Sequence, residues 1–116
     1  MEFVALLSSG EGTWAQVAGL IKQGEWEKII LIGDDFAKKF KLEKPFEFIE
    51  IKLNQPIAIL KDQLSEKLKD KFSGMEVALS IASGTGKEHM ALISALLSIP
   101  VGIKFVVLTK DGIIEF

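Results

Sequence analysis

Short runs of consecutive apolar residues, each closed by turn-forming residues, punctuate the chain at positions 3–7, 29–32, 77–82 and 105–108. Such runs predict strands buried on both faces, as in a parallel sheet covered by helices. The first runs into Ser8, Ser9 and Gly10, and the second is closed by Gly33, Asp34 and Asp35. Phe46, Phe48 and the isoleucines after them predict another strand, third in order, with Ile51 its last apolar residue. Near the end, Asp111-Gly112 is a hairpin turn into a terminal strand at Ile113-Ile114.

Between these runs the apolar period lengthens. Trp14, Val17, Ala18 and Ile21 recur at helical spacing, and Gly24 closes that helix. Residues 36–40 suggest a short helix, and the stretch 41–45 is the most linker-like part of the chain. Pro56 suits a helical first turn, and Ile57, Leu60, Leu64, Leu68 and Phe72 form one apolar stripe behind it. The stretch 90–97 lies in a last helix, and Met90 is expected in the core. There is no internal repeat and no low-complexity segment.

Strands alternating with helices predict an α/β domain with a mostly parallel sheet and right-handed crossovers. The expected fold is a Rossmann-like three-layer sandwich of about six strands, ending in an antiparallel edge hairpin. In the doubly wound order 3-2-1-4-5, strands one and four are neighbours at the topological switch point, where ligands bind beyond the carboxyl ends. The two glycine-bearing loops follow those two strands and should therefore face each other across one crevice.

Composition narrows the function classes. The chain has 116 residues, which suits a single domain spanning 1–116. Hydrophobic residues make up 48% and mean hydropathy is +0.30, a surplus that fits elements buried on both sides. A net charge of −2 provides no basic field for gripping duplex nucleic acid. The absence of cysteine excludes disulfides, thiolate catalysis and cysteine metal sites. The opening residues read as a strand and not a signal peptide, and the uncharged run 90–103 is too short to span a bilayer. The expectation is a soluble cytoplasmic protein, with an Ile, Lys and Glu content that suits a thermophile.

Chemistry concentrates in the two loops. Gly84-Thr85-Gly86-Lys87 resembles the end of an ATP-binding P-loop, but Ile81 stands where the first glycine belongs and Glu88 where the magnesium-binding hydroxyl belongs. It is read instead as an anion-favouring helix start. Thr85 and Glu88 have the spacing of a capping box, and Thr13 and Gln16 repeat that spacing after strand one. Free amides and the positive end of a helix dipole at both starts favour a phosphodiester or nucleotide. The plainer reading is a pair of ordinary strand-to-helix turns, capped for stability.

Single residues carry paired readings. Lys87 can neutralise phosphate and stabilise a pentavalent intermediate if cleavage occurs. His89 is either a general base or a packing residue. Ser8, Ser9 and Thr13 can bind phosphate or merely close the turn. Trp14 can stack a base, although its register with Val17 and Ile21 favours the core. Asp34 and Asp35 stand where a ribose-binding acid often sits, or where a helix is capped. Gly10-x-Gly12-x-x-Ala15 with Asp34 downstream matches the dinucleotide fingerprint, so an NAD, adenosyl or mononucleotide binder is the alternative reading. A third reading is a protein-interaction domain that keeps the fold without a ligand.

The stretches LLSSGEGTW and SGTGKEHMALISALL, within this strand outline, resemble the CARF domain, the Rossmann-like sensor of CRISPR-associated proteins. The resemblance covers nearly the whole chain, although Thr85 and Met90 stand farther apart than is usual in the family. It implies a homodimer that binds cyclic oligoadenylate across its two-fold axis. The loops would contribute Ser8, Ser9, Gly10, Gly12 and Thr13 on one side and Ser83, Gly84, Thr85, Gly86, Lys87 and His89 on the other. Some members cleave the ring without metal, the ligand's own 2′-hydroxyl attacking the neighbouring phosphate; here the residues assisting that attack would be Lys87 and Ser9. The resemblance implies no metal, no cofactor, no duplex nucleic acid and no membrane partner. With no effector following, it implies a stand-alone sensor, a sponge or a ring nuclease.

Overall fold

A computed structural model describes residues 1–8 and 13–116. In chain order it runs β1 (Glu2–Leu7), α1 (Trp14–Gln23), β2 (Ile29–Gly33), a 3-10 helix (Asp35–Lys39) and β3 (Glu47–Glu50). It continues with α2 (Ile57–Leu68), β4 (Glu76–Ser80), α3 (Gly86–Ser98), β5 (Gly102–Thr109) and β6 (Gly112–Glu115). The described strands form one six-stranded sheet in the order β3-β2-β1-β4-β5-β6. All neighbours are parallel except β5 and β6, which pair antiparallel through the turn at Asp111-Gly112. The expected Rossmann-like α/β sandwich with its terminal hairpin is what the chain adopts.

Strands β1 and β2 are buried at every position because both faces are covered. On one face Val4, Leu6, Ile30, Ile32, Val77 and Leu79 pack against α2 and α3. Helix α2 offers Leu60, Leu64 and Leu68, all fully buried, and α3 offers Ala91, Leu92, Ala95 and Leu96. Each such leucine contributes on the order of 2 kcal/mol by leaving water. On the other face Phe3, Ala5, Leu7, Ile29 and Leu31 meet Val17, Leu20 and Ile21 of α1. Met90, expected in the core, is 62% exposed. The buried residues of α3 sit one and two positions after it, so the helix turns Met90 outward despite its apolar character.

Polar contacts hold the end of the sheet opposite the crevice. Glu2 is buried, and its carboxylate accepts hydrogen bonds from the amides of Ser73 and Gly74, both at 3.1 Å. A buried carboxylate is tolerated only when so satisfied, and here it pins the turn that feeds β4 next to β1.

Candidate functional site

Strands β1 and β4 lie side by side, with Phe3 opposite Ala78 and Ala5 opposite Ser80. Their carboxyl ends therefore release both glycine-bearing loops at one place, as the strand order requires. The first loop includes Ser9, Gly10 and Gly12, and these fall outside the described residues, so both glycines of the dinucleotide fingerprint do as well. What is described is how the two loops are joined.

Ser83, buried at the end of the β4 loop, accepts a hydrogen bond on Oγ from the Ser8 amide at 3.0 Å. The carbonyl of Ser8 accepts from Trp14 Nε1 at 2.9 Å, and the carbonyl of Ser83 lies 2.7 Å from His89 Nε2. A carbonyl only accepts, so Nε2 carries a proton and is the donor in this contact. A continuous strap thus runs from Trp14 at the start of α1, through Ser8 and Ser83, to His89 in the first turn of α3. It uses the main chain of Ser8 and both the hydroxyl and the main chain of Ser83.

Gly84 sits under that strap with φ at +119°, in the region that side chains with a Cβ rarely adopt. A Cβ there would come within 2.8 Å of His89 Nε2. The imidazole therefore closes directly over glycine backbone. Thr85 then starts α3 with the expected capping box: its Oγ1 accepts from the Glu88 amide at 3.2 Å, and Glu88 Oε1 accepts from the Thr85 amide at 2.9 Å. Gly86 and Lys87 follow as the first two helical residues, whose amides have no acceptor within the helix. Space around Gly86 is open, with nothing within 4 Å of a Cβ placed there. Amides of this kind, at the positive end of a thirteen-residue helix, suit an anion.

The start of α1 differs from expectation. Thr13 precedes it in a helical conformation, and no side-chain capping bond forms. Gln16, expected to close the box, accepts from the Leu108 amide of β5 at 2.9 Å. A tertiary acceptor role has taken the side chain that the local pattern assigned to the cap.

Lys87 and the acidic pair are also placed. Lys87 Nζ donates to the carbonyl of Gln55 at 2.8 Å, tying the start of α3 to the loop that enters α2. Asp34 accepts from the Phe36 amide at 3.1 Å and so caps the 3-10 helix, while Asp35 pairs with Lys38 at 3.2 Å. Trp14 is buried, with its ring 5.7 Å from both Phe36 and Phe40. Among the described residues, no group of three His, Asp or Glu side chains could hold a metal ion. No helix of the described residues is long and apolar enough to cross a membrane.

The structure therefore brings Ser8, Ser83, Gly84 and His89 together, sets Thr85 and Gly86 beside them, and turns the Lys87 ammonium toward Gln55. Sequence reasoning missed Gln55, which nothing but the tertiary fold marks. It also missed the joining role of Ser83, whose only sequence signal is a small hydroxyl between a strand end and a glycine. No protein-family model matches the chain, and comparison with curated proteins finds no match.

Proposed function

We propose that the crevice between the loops after β1 and β4 is a nucleotide-binding site of CARF type, taking a cyclic oligoadenylate across a homodimer. The observation that carries this reading is the Ser8-to-Ser83 hydrogen bond, which draws the two loops together at the switch point beside the capped start of α3. An anionic backbone would meet the amides of Gly86 and Lys87 there, and the Lys87 ammonium would exchange the Gln55 carbonyl it now holds for a phosphate oxygen. In a ring-cleaving version the ligand's 2′-hydroxyl attacks the adjacent phosphorus, the 5′-oxygen leaves with a proton, and a 2′,3′-cyclic phosphate remains. Lys87 would stabilise the added negative charge, and Ser9 of the first loop would supply a hydroxyl to the phosphate.

The test is titration of the protein with cyclic tri-, tetra- and hexa-adenylate in EDTA, followed by calorimetry and by chromatography of the products. Saturable binding of one ring supports the reading, and linear products extend it to a ring nuclease. Lys87→Ala should weaken that binding about tenfold, the worth of one charge-assisted hydrogen bond. Heat from none of the three rings overturns the proposal. Binding of NAD instead, abolished in Asp34→Asn, would favour the dinucleotide alternative.

A further inference from the structure

Doubly wound folds normally lay a full helix over the sheet between strands two and three. Here that crossover is only the five-residue 3-10 helix followed by an extended segment, so side chains must cover the β2–β3 end of the α1 face. The sequence provides them by alternation. Phe40, Leu42, Phe46 and Phe48 occupy even positions and turn inward against the sheet, while Lys41, Glu43 and Glu47 occupy odd ones. The covering is incomplete. It leaves a cavity of about 350 Å³ walled by Phe40, Leu42, Phe46 and Phe48, with Lys38 and Lys41 at its rim.

That volume lies in the range of small-molecule sites, and its lining is aromatic with basic groups at one edge. The two lysines are not equivalent. Lys38 is held between Asp35 at 3.2 Å and Glu50 at 2.9 Å, so its charge is already balanced. Lys41 is exposed and has no ion-pair or hydrogen-bond partner among the described residues. Phe40 and Phe46 stand edge to face with ring centroids 6.0 Å apart, a geometry that accepts a further ring against either one.

We propose that this cavity is a second binding site, separate from the crevice, for a small aromatic carboxylate. Its ring lies among Phe40, Phe46 and Phe48, and its carboxylate pairs with Lys41. The site does not depend on the nucleotide reading. It has a built-in reporter, because Trp14 packs against Phe40 at 5.7 Å and senses whatever touches that ring.

The experiment titrates phenylacetate, and its neutral amide phenylacetamide, into isotopically labelled protein and follows backbone amide resonances. Trp14 fluorescence is followed in parallel in a Trp26→Phe background. The expected result is saturable movement of the Phe40, Leu42, Phe46 and Phe48 amides with phenylacetate, together with a change in Trp14 emission. Phenylacetamide, and phenylacetate with Lys41→Gln, should each bind about fivefold more weakly, as loss of one exposed ion pair implies. Lys41 is exposed, so the substitution leaves the fold intact and a changed affinity reports on binding. Failure of phenylacetate to saturate, shifts that map elsewhere, or equal affinity of the acid in Lys41→Gln would each overturn the proposal.

Discussion

Helices α1 and α3 begin with the same local formula, a threonine followed three residues later by a side chain able to reach back to the cap, yet only one forms the box. At α3 the Glu88 carboxylate meets no competing donor among the described residues and returns to the Thr85 amide. At α1 the chain passes close to β5, where the Leu108 amide competes for the Gln16 carbonyl and wins. Each buried backbone amide must find an acceptor, and a strand amide lacking one costs more than an uncapped helix end open to water. A capping motif is thus an offer by the sequence, and tertiary packing decides whether it is taken.

The sharpest way to break the α3 start is Gly84→Ala. It forces a Cβ into a positive-φ position beneath His89, and should cost about 2–3 kcal/mol in urea unfolding. Gly112→Ala makes the control, having a similar φ but nothing within 4 Å, and should cost less than Gly84→Ala. Equal losses would mean that the imidazole contributes nothing to the requirement for glycine at position 84.

Ser83→Ala removes the acceptor that links the two starts and strands the Ser8 amide, at a cost of about 2 kcal/mol. Faster hydrogen exchange at the Ser8 amide, with α2 unaffected, is the expected companion result. Thr85→Ala and Gln16→Ala should each cost about 1 kcal/mol, but in different places. The first should loosen the opening turn of α3, read by exchange at the Glu88 amide. The second should leave the α1 start unchanged and speed exchange at Leu108 in β5. Coincident exchange maps for the two variants would defeat the contrast drawn between the two helix starts.

The smallest effect is expected at Lys38, where the Glu50 hydrogen bond first, and then that of Asp35, raises the ammonium pKa above its usual value. A raised folded-state pKa stabilises fully below the unfolded value and is lost as pH climbs through the folded one. Lys38→Met should therefore leave the melting temperature unchanged near neutral pH, where the exposed pair is worth little. Any difference from the parent protein should shrink further at strongly alkaline pH. A substantial drop at neutral pH would show that Lys38 does more than sit in a solvated pair.

The fold was legible because its central strands carry unbroken apolar runs, Phe3 to Leu7 and Ile29 to Ile32, a pattern that a sheet covered on both faces explains. Strand order followed from the alternation of elements, and the crevice followed from strand order. Positions whose partners lie far along the chain were harder to read. Met90 reads as core until the buried stripe of α3 is seen to run through Ala91, Leu92, Ala95 and Leu96. Glu2 looks like a strand boundary, yet it is buried inside the strand because two amides from the turn before β4 await it. Lys44, in what reads as a linker, reaches back to the carbonyls of Ile21 and Gly24 and closes the end of α1. At the site, Gly84, Thr85 and Glu88 announced themselves by type and spacing, whereas the strap through Ser83 depends on two loops meeting.

The place of β1 in the middle of the sheet also governs the order in which the protein can be made. Its apolar run precedes β2 in the chain and can pair with it early, since Phe3 meets Ile29. Its other edge must wait for Ala78 and its neighbours in β4. Until β4 has been synthesised, the strand presents an open hydrogen-bonding edge. The parallel sheet around β1 therefore closes only through contacts far apart in sequence, which slows folding relative to a fold built from local contacts.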